Sequence, residues 1–96
     1  MDKSNYISIC KRYDKVDCYQ LTSTNKFLHN RVKVKVDDFT IILTVADLSD
    51  KCYTPSVIDK YSRMLRFHTD YEIPLGRYEI ADDSTEDELI IDWNYL

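Results

Sequence analysis

The chain has 96 residues, 44% of them hydrophobic and 31% charged, with a formal net charge of −4. That is the length of one domain, residues 1–96, with a single small core. It excludes a wholly disordered chain, because one Trp, eight Tyr and three Phe accompany many Ile and Val residues, and it contains no apolar run of the ~18 residues a membrane span requires.

Residues 5–13 alternate weakly, with Ile7 and Ile9 on one side, and residues 16–22 follow after a short break. The two segments read as a β-hairpin. With Tyr13, Asp14 and Lys15 as its loop, Cys10 faces Cys18 across the strands, and a slip of one residue separates them. Residues 23–30 are polar and read as a loop that attaches Phe27 and Leu28 to the core. The stretch RVKVKVDDFTIILTVA follows. Val32, Val34 and Val36 alternate there with Arg31, Lys33 and Lys35, the period of a strand with one wet face. Asp37 and Asp38 make the turn, and residues 39–46 return as a more apolar, central strand.

TPSVIDKYSRMLRFH reads as the one helix. Thr54 supplies an N-cap and Pro55 the first helical position, where a missing N–H costs nothing. Val57, Ile58, Tyr61, Met64 and Leu65 form an apolar stripe at helical spacing. Lys60, Arg63 and Arg66 fall on the other side. Residues 71–75 and 77–81 read as short extended segments. Residues 82–88 read as a loop, and residues 89–95 as a strand with Ile91, Trp93 and Tyr95 on one face; a short helix is the lesser alternative, because Thr85 and Glu88 have capping-box spacing. The expected fold is therefore α+β: an antiparallel sheet of five or six strands packed against one α-helix at about residues 55–67. Val57, Tyr61, Met64 and Leu65 are expected to be buried against Val34, Phe39, Ile41 and Leu43.

No catalytic constellation is visible. Gly76 is the only glycine, so neither a P-loop nor a GxGxxG turn exists. His29 lies in a polar stretch, and His68 lies where the expected helix ends, a position that suits its charge to the helix dipole. Cys10, Cys18 and Cys52 form no CxxC pair. Structural zinc sites pair their ligands closely in sequence, so the three thiols read as reduced and mostly buried, with no metal and no cofactor. The segment MDKSNYISIC has no apolar signal region, and the free thiols fit the cytoplasm. Ser84 and Thr85 lie in an acidic run of the kind acidophilic kinases accept.

Charge gives the functional reading. Residues 1–48 carry eight bases and six acids, whereas residues 49–96 carry five bases and eleven acids. Residues 78–96 hold seven acids and no base, and five of those acids fall within residues 82–88. An anionic run joined to an apolar strand suits a ridge held on a folded body, which resembles DNA to a DNA-binding protein and steers a basic partner. The expected partner surface is Asp82, Asp83, Glu86, Asp87, Glu88, Trp93 and Tyr95, with Tyr78 as a further aromatic anchor. Phe, Tyr, Met, Ile, Asn and Lys, the residues of AT-rich codons, total 34, against 10 for Gly, Ala, Arg and Pro. That bias fits a phage or mobile element of an AT-rich host.

The leading expectation is a small acidic inhibitor, not an enzyme. It binds a protein with a basic groove, a nucleic-acid-handling enzyme of host defence. An immunity protein against a toxin nuclease has the same profile. The alternative from another class is a small nucleic-acid or anion-binding module that uses Lys60, Arg63 and Arg66 on the helix face. Nucleic-acid binders usually carry net positive charge, so direct nucleic-acid binding is the weaker reading.

Overall fold

The computed structural model describes residues 6–11, 17–47, 51–57 and 61–93. Among the described residues, eight strands appear in chain order: β1 (Tyr6–Lys11), β2 (Cys18–Ser23), β3 (Val32–Val36), β4 (Thr40–Val45), β5 (Ser56–Val57), β6 (Arg63–His68), β7 (Gly76–Glu79) and β8 (Glu88–Asp92). A 3-10 turn (Lys26–His29) joins β2 to β3. The strands form a five-stranded sheet, β5-β6-β2-β1-β7, and a three-stranded sheet, β3-β4-β8, with every pairing antiparallel.

Single-residue bridges tie the two sheets at both margins. Val32 of β3 pairs with Tyr53, just ahead of β5, and Ile80, just after β7, pairs with Ile91 of β8. Edge strands invite unwanted pairing, and closure removes them. This chain approaches that solution: two sheets joined along both seams around one core. Ile7, Ile9, Tyr19, Leu21, Leu65 and Phe67 from the larger sheet meet Val32, Ile41, Leu43, Leu89 and Ile91 from the smaller. Phe27 and Leu28 of the 3-10 turn join the same core.

The α+β expectation is overturned. Among the described residues there is no helix of seven residues or more, and none packs against a sheet. The segment expected as a helix holds β5 and β6, with residues 58–60 outside the described set. The physical reason lies in Phe67. On a helix it sits two residues past Leu65, about 200° around the axis, and would face water. On a strand, Leu65 and Phe67 point to the same side. Both are completely buried, while Arg66 and His68 are exposed. Full burial of one such side chain is worth about 1.5–3 kcal/mol. β6 also supplies the second neighbour that β2 needs, over six residue pairs, and Phe67 stacks on Tyr19 with centroids 5.9 Å apart.

The expected core changes with it. Leu65, Ile41 and Leu43 are buried and Val34 packs against the core, but Val57, Tyr61 and Phe39 are 62%, 70% and 55% exposed. Met64 is half-buried. The β3–β4 hairpin forms as expected, with Asp37 at its turn. The β1–β2 hairpin forms in a different register: Cys10 lies opposite Gln20, and Cys18 opposite His68 of β6. Cys10 is exposed, Cys52 half-buried and Cys18 buried, all as free thiols, so the thiols are not uniformly buried.

Candidate functional site: the acidic hairpin

β7 and β8 are joined by residues 80–87, which carry most of the acidic run. Backbone and hydroxyl bonds hold this connection in one shape. Ala81 N–H donates to Ile90 O at 2.9 Å, Ser84 N–H to Ala81 O at 3.1 Å, and Thr85 N–H to Glu88 O at 2.8 Å. The Ser84 hydroxyl accepts the Ile90 N–H at 2.9 Å, and the Thr85 hydroxyl accepts the Asp87 N–H at 3.3 Å. Val45 N–H donates to Asp87 O at 3.0 Å, which ties the far side of the hairpin to β4. Ser and Thr favour such local bonds in turns. Leu89 and Ile91 then anchor the hairpin in the core.

The carboxylates stand out from this frame. Asp82, Asp83, Glu86 and Asp87 are exposed and Glu88 is half-buried. None of the five forms an ion pair or a side-chain hydrogen bond with another described residue. Asp82 also lines a cleft of about 310 Å³ at the seam between the sheets, together with Glu79, Asp92 and Arg77. The Arg77 guanidinium sits 4.2 Å over the centre of the Tyr6 ring.

The aromatic residues expected beside the acids are elsewhere. Trp93 follows β8 at its far end, about 16 Å of strand from Glu88 at ~3.3 Å per residue. It is half-buried and packed against the core. Its backbone N–H donates to Phe39 O at 2.8 Å, and its buried indole Nε1 has no hydrogen-bond partner among the described residues. Tyr78 is buried, and its hydroxyl donates to Pro74 O. Burial raises its pKa above the ordinary phenol value. Tyr95 lies outside the described residues.

The basic patch disperses. Lys60 lies outside the described residues. Arg63 and Arg66 would share a helix face, but three residues apart on β6 they point to opposite faces of the sheet. Arg66 lies opposite Gln20. His68 has no helix end to serve; its Nδ1 stands 3.7 Å from Asp17 Oδ2. Asp37 works as a turn residue: its carboxylate accepts the N–H groups of Phe39 and Thr40 at 2.9 and 2.8 Å and the Thr40 hydroxyl at 2.9 Å. Those bonds, with Lys35 nearby, hold its pKa below the ordinary carboxylate value. No group of three His, Cys, Asp or Glu among the described residues is arranged to hold a metal.

Reading the sequence missed the neighbour of the hairpin. Ser84, Thr85, Glu86 and Leu89 form one wall of an open groove of about 590 Å³, and Asn25, Lys26, Phe27 and Asn30 form the other. The advance signal was Phe27 and Leu28 attaching this loop to the core; Asn25 Oδ1 caps the 3-10 turn by accepting the Phe27 N–H at 2.8 Å. No family model matches the chain, and neither does any curated protein or solved structure.

Proposed function

We infer that the chain is a small protein-binding inhibitor whose acidic hairpin occupies the basic groove of a nucleic-acid-handling enzyme. The observation that carries this reading is the mounting of the charge. Five carboxylates with no cationic partner among the described residues stand on a hairpin fastened to both β4 and β8. Like charges held together repel one another, and a flexible loop would let them spread. A fixed anionic ridge presents a basic protein with the field it meets on nucleic acid. It accelerates encounter and sets register more than it adds affinity.

The setting proposed is a phage or mobile element of an AT-rich host, with the cytoplasm as the site of action and a host-defence enzyme as the target. Support for that part comes from composition alone. The rival anion-binding reading loses its shared face, because Arg63 and Arg66 diverge. The test is displacement. A protein captured from such a host on the wild-type chain is loaded with labelled duplex DNA and titrated with the chain. The reading expects stoichiometric loss of DNA, and no loss with Asp82, Asp83, Glu86, Asp87 and Glu88 changed to Asn or Gln. Unchanged DNA binding at saturating wild-type chain would overturn it.

A further inference from the structure

We propose that the open edge of β3 takes up an extended segment of a partner protein as an added strand, one that alternates apolar and acidic side chains. This edge is the margin of the smaller sheet away from β8, and the inference does not depend on the acidic hairpin. The hydrogen-bond phase of β3 exposes it. Ala46 N–H donates to Arg31 O and Asp37 N–H to Thr40 O, both at 3.0 Å, so the odd-numbered residues from Arg31 to Asp37 face β4. Val32, Val34 and Val36 turn their backbone groups to the other side. Val32 uses them: its N–H donates to Tyr53 O at 3.2 Å, and Tyr53 N–H donates to Val32 O at 2.8 Å. That bridge is a single residue pair. Beyond it, no hydrogen bond from a described residue reaches the N–H or C=O of Val34 or Val36. Those groups stand in one line, about 7 Å from one valine to the next, twice the strand rise.

The two faces of the edge select what pairs there. Val34 and Val36 are half-buried and pack against the core, so apolar side chains of an added strand cover their remaining surface. Lys33 and Lys35 are exposed on the other face. Residues directly opposite on neighbouring strands lie about 4.5–5.5 Å apart between Cβ atoms, where opposite charges attract and like charges repel. Acids at the positions beside the two lysines therefore complete the match, and a basic strand is rejected. A second copy of β3 is rejected on the same ground. Antiparallel pairing centred on Val34 sets Lys33 of each copy opposite Lys35 of the other. Lysines on an edge guard against such self-pairing, and here they leave an acidic strand admissible.

The probe is a cyclic hairpin peptide whose open edge strand alternates valine and glutamate, pre-organised so that ordering costs little. The readout is amide exchange of the 15N-labelled chain at low salt. In the free chain the amides of Val34 and Val36 should exchange fast, and those of Lys33 and Lys35 slowly. With peptide at about ten times its Kd, exchange at Val34 and Val36 should slow by about tenfold. The same peptide with the outward amides of its edge N-methylated should give no such protection. A peptide with lysine in place of glutamate should bind more weakly by about fivefold or more, the scale of exposed charge contacts. Lys33→Glu combined with Lys35→Glu should reverse that preference. Slow exchange at Val34 and Val36 in the free chain would overturn the proposal, because the edge would already be covered. Absence of binding at millimolar peptide, or binding that N-methylation leaves unchanged, would overturn it as well. Equal binding of the glutamate and lysine peptides would overturn the acidic occupant.

Discussion

Two acidic loops lie at opposite ends of β4, and they use their charge in opposite ways. At one end, Asp37 turns its carboxylate inward to the chain and accepts two backbone N–H groups and a hydroxyl. At the other end, the hairpin of residues 80–87 is shaped by backbone and hydroxyl bonds, and its carboxylates take no part. The acid at the first loop is a structural part with a lowered pKa. The acids at the second are cargo on a frame built from Ser84, Thr85 and main chain. The difference shows why a count of acidic residues says little until each carboxylate's hydrogen bonds are traced.

That contrast can be broken at several depths. The deepest cut is the platform beneath the hairpin. Ile91 is fully buried and bridges the seam to Ile80. Ile91→Ala should cost about 2–5 kcal/mol, measured by denaturant unfolding with the single tryptophan, Trp93, as fluorophore. A loss below 1 kcal/mol would mean that the seam is not packed as described. Ser84→Ala removes the acceptor of the Ile90 N–H and should cost about 1–3 kcal/mol. It should also loosen the hairpin, read as faster amide exchange at Ile90 and Asp87.

Asp37→Asn is expected to lower the unfolding midpoint at neutral pH. Its pH dependence has a definite sign. The folded-state pKa of Asp37 lies below its unfolded value near 3.8, so its contribution is present above that value and is lost as pH falls through the folded one. The wild type should therefore lose stability relative to Asp37→Asn below about pH 4, and the two melting curves should converge there. Parallel curves down to pH 2 would remove Asp37 from its structural role. The smallest effect belongs to the hairpin carboxylates. Asp83→Asn or Glu86→Gln should change stability by no more than about 0.5 kcal/mol in either direction. A larger loss would show that these acids hold the fold after all.

The sequence was most legible where one signal stood alone. Val32 to Val36 alternates cleanly, Asp37 and Asp38 break the alternation, and the hairpin follows. After the acidic run, strand propensity outweighed a capping-box signal for a short helix, and the structure has β8 there with Leu89 and Ile91 inward. Residues 54–68 misled because two periods coexist. Val57, Tyr61 and Leu65 fit a helix, while Leu65, Arg66, Phe67 and His68 alternate as a strand. Local pattern could not arbitrate, because the decision came from β2, which lies more than forty residues away and pairs with β6 along its whole length. The acidic run itself was legible as charge. Its companions were not, since Trp93 is carried to the far end of β8 and the 3-10 turn is brought to the hairpin only by the closed arrangement of the sheets.

The most direct test of the central claim is the association rate with the captured partner, measured against salt concentration for the wild type and for the variant neutralised at Asp82, Asp83, Glu86, Asp87 and Glu88. The account predicts that the variant keeps its fold, associates roughly tenfold or more slowly at low salt, and loses most of the salt dependence. Equal rates with equal salt slopes would contradict it, and the hairpin would then serve only to keep the chain in solution.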